Sequence, residues 1–109
     1  MKELKFSKAV FHKGLNFTVR LGEKWKELVS IGDYVHIDGV GAGRIDEMYI
    51  CKFENIPARV LELEHDEKCC TLDGLEKALW DVYYEDIMDG KMEGHIFTCL
   101  GFRILREEG

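Results

Sequence analysis

Apolar and polar positions alternate most cleanly at residues 16–21, NFTVRL. Phe17, Val19 and Leu21 take one side; Asn16, Thr18 and Arg20 take the other. A period of two is that of a strand packed on one face, so the second face presents an amide, a hydroxyl and a guanidinium in a row. Further strands are predicted at 4–7 (LKFS), 34–38 (YVHID), 48–53 (MYICKF) and 58–64 (ARVLELE), with a long closing strand at 95–105 (HIFTCLGFRIL). Between the first two strands, residues 8–13 read as a helical turn ended by Gly14. GEKWKELVSIGD (22–33) reads as a short helix or turn, and Asn55 to Pro57 as a bend, because the only proline removes a ladder donor. GVGAGR (39–44) reads as a flexible hairpin loop. Its glycines lack the final x-x-G of a dinucleotide fingerprint, and no GK[ST] follows to make a phosphate loop.

One segment carries the helical period. Leu72, Leu75, Leu79 and Val82 fall at i, i+3, i+7 and i+10, Thr71 stands where an N-cap is needed, and Asp73 lies at the positive end. That stripe predicts a helix to about Tyr84 with its leucines in the core. The element order predicts an α+β chain, one domain over residues 1–109, built as a small, mostly antiparallel β-barrel decorated by two or three short helices.

The charge is uneven. The chain has 109 residues and a formal net charge of −6. Residues 1–26 nevertheless hold seven Lys/Arg against two acids, a net of +5, while the remainder carries −11. A local cationic block attracts a polyanion even where the whole molecule repels one, provided the basic groups share a face. No apolar run has the length of a leader or a bilayer span, so no membrane partner is expected.

Cys51, Cys69, Cys70 and Cys99 include no CxxC pair, and His12, His36, His65 and His95 are scattered without ligand spacing. Neither a metal nor a cofactor is expected. Adjacent Cys69 and Cys70 point to reduced thiols and hence to the cytoplasm. The acidic run ELEHDEK (62–68) reads as a solvated face.

The strand TVR, the segment IGDYVHI, the middle hairpin, the helix LDGLEKALWDVYY and the closing HIFTCLGFRI together resemble the ASCH domain, a member of the PUA-like β-barrel superfamily, over nearly the whole chain. Anchoring the family signature G-x-K-x-x-E-x-R on Arg20 places Thr18 at the glutamate, Leu15 at the lysine and Lys13 at the glycine. A hydrolase branch that removes the acetyl group from N4-acetylcytidine carries T-x-R there, with a Lys, Thr and Glu constellation.

The resemblance implies binding of RNA or a modified nucleoside in a cleft between barrel and helices, in RNA metabolism or translation-related regulation. The implied lining is Asn16, Thr18, Arg20, Lys24, Trp25 and Lys26: Arg20 forks to a phosphate or base edge, the lysines supply point charges, and Trp25 offers a stacking face. On that reading, Arg20→Ala leaves the melting temperature nearly unchanged. Two alternatives stand beside it. One is an amidohydrolase using Thr18 as nucleophile, Lys13 as its base and Glu67 as the acid, since a threonine hydroxyl needs such activation. The other is a protein-interaction module.

Overall fold

A computed structural model describes residues 2–107. Five strands, β1 (Lys2–Leu4), β2 (Leu15–Leu21), β3 (Tyr34–Ile37), β4 (Gly41–Lys52) and β5 (Ile96–Glu107), form one mixed sheet in the order β1-β3-β4-β5-β2. β1 runs parallel to β3, and the other neighbours are antiparallel. The pairings do not close, so β1 and β2 are edges; the architecture is a small α+β sheet domain with few helices.

β5 is the spine. Phe97 and Cys99 belong to one buried cluster and Leu100 and Phe102 to another. Alternation along a strand sends the two sets to opposite faces, so the sheet is covered on both. The first cluster joins Leu15, Phe17 and Val19 of β2 to Leu75 and Leu79 of the long helix, and the second joins Leu4, Val35, Ile37 and Ile45.

The helices are α1 (Trp25–Leu28), α2 (Ala58–Glu62) and α3 (Leu72–Tyr83). α3 forms where the leucine stripe predicts it, and Thr71 Oγ1 accepts from the Gly74 amide at 3.1 Å. The stripe is buried only in its middle: Leu72 and Val82 are exposed.

Three local expectations are corrected. Residues 58–64 form a helix over Ala58–Glu62 rather than a strand. Pro57 caps its start with φ already at −62°, Glu47 on β4 binds Arg59 through both carboxylate oxygens, and Val60 is buried. Residues 39–44 are not all loop, since β4 runs unbroken from Gly41. Gly43 is there for packing: a Cβ on it would stand 2.6 Å from Ile37 Cδ1 and 3.0 Å from the Arg103 carbonyl oxygen. Residues 8–13 make no helical turn. Asn16 takes that role, its amide donating to the His12 carbonyl at 2.9 Å while its Oδ1 accepts from the His12 amide at 3.0 Å. No helix among the described residues is long and apolar enough to cross a membrane.

Candidate functional site

β2 is an edge strand whose outer side is only partly used. Phe17 donates its amide to the Leu63 carbonyl at 2.7 Å, and His65 donates its amide back to the Phe17 carbonyl at 2.9 Å. This makes a single parallel bridge between Phe17 and Glu64. The Gly22 amide instead donates to the carbonyl of Ile96, the first residue of β5, at 2.7 Å. Odd-numbered residues of β2 therefore turn their backbone outward and even-numbered ones bond β5. Val19, two residues past the bridge, turns its amide and carbonyl to the same open edge.

A cavity of about 310 Å3 lies there. Thr18, Val19 and Arg20 of β2 form one wall, and the segment Lys5, Phe6, Ser7 and Lys8 forms a flank. Glu64, His65 and Asp66 supply the floor, while Leu75, Leu79 and Tyr83 of α3 close the far side. The walls are largely apolar, with a few convergent polar groups, as is usual for a small-molecule site.

Arg20 is clamped. Its Nη2 donates to the Lys5 carbonyl at 2.8 Å and its Nε to Thr18 Oγ1 at 3.2 Å; the guanidinium lies 4.9 Å from the Phe6 ring centroid and 5.4 Å from that of Trp25. Burial pulls its pKa below the ordinary value, opposed by Tyr83 and Glu64, yet a guanidinium remains charged at any physiological pH. Two of its five N–H groups are used and three remain. Thr18, only 4% exposed, spends an oxygen lone pair on Arg20 and keeps its hydroxyl hydrogen to donate.

Glu64 is the residue that pattern reading missed. It is 4% exposed, and its Oε2 is a buried side-chain oxygen with no hydrogen-bond partner among the described residues. Its Oε1 meets His65 Nε2 at 3.2 Å and accepts weakly from the Asp66 amide at 3.4 Å. His65 is wedged between Phe6 and Phe11, with Nδ1 donating to the Val10 carbonyl at 2.9 Å. Burial pushes the Glu64 pKa up to about 8, and the neighbouring Asp66 adds to the rise. Burial lowers that of His65. Lys8 pairs with Asp66 at 3.5 Å at the mouth.

Of the residues implicated from sequence, Thr18 and Arg20 line the cavity. Asn16 is fully buried and spent on the His12 turn. Lys24 and Lys26 are exposed and outside the lining, with Lys26 paired to Glu23 at 2.7 Å. Trp25 packs on the second core cluster beneath Arg20, so the ring face turned to the site already holds a cation. Lys13 and Glu67 are exposed and line no part of the cavity; Glu67 opens the short 3-10 turn Glu67–Cys69. All four cysteines are free thiols. On the far edge, the parallel register sets Glu3 opposite His36, and with Asp38 their ligand atoms lie within 4.8 Å of one another.

Comparison with protein-family models, curated proteins and solved structures gives no match.

Proposed function

We propose that this chain is an RNA- or nucleotide-binding domain of the PUA-like ASCH type, and that the cavity on the open edge of β2 receives one nucleoside unit, free or splayed from a single strand. The observation that carries the reading is the joint presence, between apolar walls, of the Thr18 hydroxyl, the unused Arg20 donors and the unpaired oxygen of Glu64. At about 310 Å3 the space sits at the lower end of the ~300–1,000 Å3 common for ligand sites. That suits a single heterocycle with its sugar, not a duplex. Lys5 and Lys8 on the flank are placed for a phosphate at the mouth. The cationic block noted in the sequence divides accordingly: Lys5, Lys8 and Arg20 belong to the site, and Lys24 and Lys26 to the surface beside it.

Titration of the protein with cytidine 5′-monophosphate and with a short single-stranded RNA tests this directly. Binding of both is expected, with RNA affinity falling as salt rises and Arg20→Lys weakening both. Absence of binding at millimolar nucleotide would reject the reading in favour of a protein-interaction module.

A second reading keeps one observation in its favour. A hydroxyl (Thr18), a carboxyl (Glu64) and an ammonium (Lys8) line the same cavity, the group types an amidohydrolase acting on N4-acetylcytidine would need, although supplied by Lys8 and Glu64 rather than by Lys13 and Glu67. Incubation with N4-acetylcytidine, following cytidine by chromatography, decides it. Release abolished in Thr18→Ala establishes the hydrolase, and no release leaves a binding site.

A further inference from the structure

The cavity reaches both faces of the sheet. Thr18 and Arg20 project to the face of the second core cluster, where Arg20 covers Phe6 and Trp25. Val19 projects to the other face, into the cluster that holds Leu75 and Leu79 of α3. One space lined by Thr18, Arg20 and Phe6 as well as by Leu75, Leu79 and Tyr83 must pass around the outer edge of β2. What it passes there is backbone.

The register says which backbone. The Gly22 amide bonds Ile96, and Phe17 bonds the Leu63–His65 segment on its outer side. Antiparallel alternation then makes Thr18 with Leu100 and Arg20 with Thr98 the hydrogen-bonded pairs, and Val19 with Cys99 a non-bonded one. The N–H and C=O of Val19 therefore point away from β5, and neither has a partner among the described residues. Val19 is only 7% exposed. A buried backbone donor and acceptor without partners are uncommon, and each costs free energy until something pairs it. The gap is one residue long: the bridge to Glu64 takes Phe17, and Leu21, the next residue with outward backbone, lies outside the lining. An added peptide strand needs a longer run, and the Leu63–His65 segment stands in its path. A planar heterocycle needs a single rung.

We propose, resting on the nucleoside reading of the cavity, that the Val19 backbone is its base-reading element: the base lies in the plane of the sheet as one further rung, an edge acceptor taking the Val19 N–H and the neighbouring N–H donating to the Val19 carbonyl. Its two faces are then covered by Leu75, Leu79 and Tyr83 on one side and by Phe6 and Arg20 on the other. The ligand class is a heterocycle with an N–H donor beside an acceptor on one edge. Cytosine, uracil, adenine and guanine all carry one, so this element selects for an intact edge rather than for one base.

Amide hydrogen exchange and a heteronuclear NMR titration with cytidine 5′-monophosphate test this on the unaltered chain. In the free protein the Val19 amide is expected to exchange about 100-fold faster than those of Thr18 and Arg20, which bond β5. With saturating nucleotide it should shift downfield and slow by about tenfold or more. Replacing the Val19 amide by an ester through chemical ligation deletes that N–H and keeps the side chain; with a melt verifying the fold, affinity should fall by about tenfold. Uridine should bind about 10- to 100-fold more tightly than 3-methyluridine, which has lost the edge donor. A Val19 amide already protected in the free chain, or unmoved when nucleotide binds, would overturn the assignment and leave the cavity reading in place. So would a folded ester chain that binds like the wild type, or equal affinity for uridine and 3-methyluridine. Absence of binding at millimolar nucleotide would overturn both; shifts at Val19 and Leu21 caused instead by an extended heptapeptide of valine and threonine would then make the edge a strand-addition site.

Discussion

Arg20 joins the stability of the site to its chemistry. Its side chain bonds the Lys5 carbonyl and Thr18 and covers the rings of Phe6 and Trp25, so it holds the N-terminal segment against β2 while keeping three N–H groups for a ligand. This alters the expectation that Arg20→Ala is silent for stability. Removing the fork and its packing is expected to lower unfolding free energy by about 2 kcal/mol, read from urea denaturation. Arg20→Lys, which keeps charge but cannot span both acceptors, should recover only part of that; an unchanged midpoint in Arg20→Ala would mean that the Lys5 segment holds its place without the fork. Thr18 and Arg20 were legible beforehand because period-two alternation marks a strand face whatever covers it. Glu64 was not. It sits in a run of acids and lysine that reads as solvated surface, and its burial comes from the non-local bridge to Phe17, which leaves no trace in the local pattern.

The elements around the site are held by contacts a propensity scale cannot see. A glycine inside a helix ordinarily costs about 1 kcal/mol relative to alanine, so Gly74 on α3 reads as a defect open to repair. A Cβ there, however, would stand 2.0 Å from the Lys68 carbonyl oxygen, where the preceding short turn packs against the helix start. Backbone cannot swing aside as a flexible side chain can, so Gly74→Ala is expected to destabilise by about 1–3 kcal/mol, as overpacking does. Thr71→Ala at the cap should cost about 1 kcal/mol. Thermal melts of the two variants check both, and a Gly74→Ala protein more stable than wild type would show that the turn at Lys68 yields. α3 was legible because twelve residues give the 3.6 period room to declare itself. α2 was not, because five residues do not, and although Ala58, Arg59, Leu61 and Glu62 are good helix formers, so short a run does not declare a period. The closure of a barrel could not be read from strand count, since it depends on whether the edges meet, and here β1 and β2 do not pair.

At the scale of the whole molecule, the acid on the cavity floor should set how stability varies with pH. The folded chain keeps a proton on Glu64 up to about pH 8, whereas an unfolded glutamate releases it near 4.5. Between those values the native state binds more protons, so stability falls as pH rises. His65 acts oppositely. Burial lowers its pKa, so below the ordinary 6.5 the unfolded chain takes up a proton that the folded one refuses, and stability there rises with pH. The two effects oppose each other up to about pH 6.5, and above it Glu64 acts alone. The buried thiols do not intrude: desolvation raises Cys69 to about 12 and Cys99 further, so their effect begins only above the ordinary thiol value of 9. Glu47, held down to about 2 by Arg59 and Tyr49, contributes only in acid, its stabilisation being lost as pH falls below the ordinary 4.5 towards 2. From pH 6.5 to 8.5 the wild type is therefore expected to lose about 2 kcal/mol, the free energy of some 1.5 pH units of uncompensated proton release. Urea unfolding at both pH values, in salt sufficient to screen the long-range repulsion of the −6 net charge, measures it. Glu64→Gln, with no proton to lose, should show a nearly flat profile over the same interval. A flat wild-type profile would mean that Glu64 is already ionised in the folded protein at pH 6.5 and that His65 has not taken up its proton; a wild-type slope that persists in Glu64→Gln would place the titrating group elsewhere in the chain.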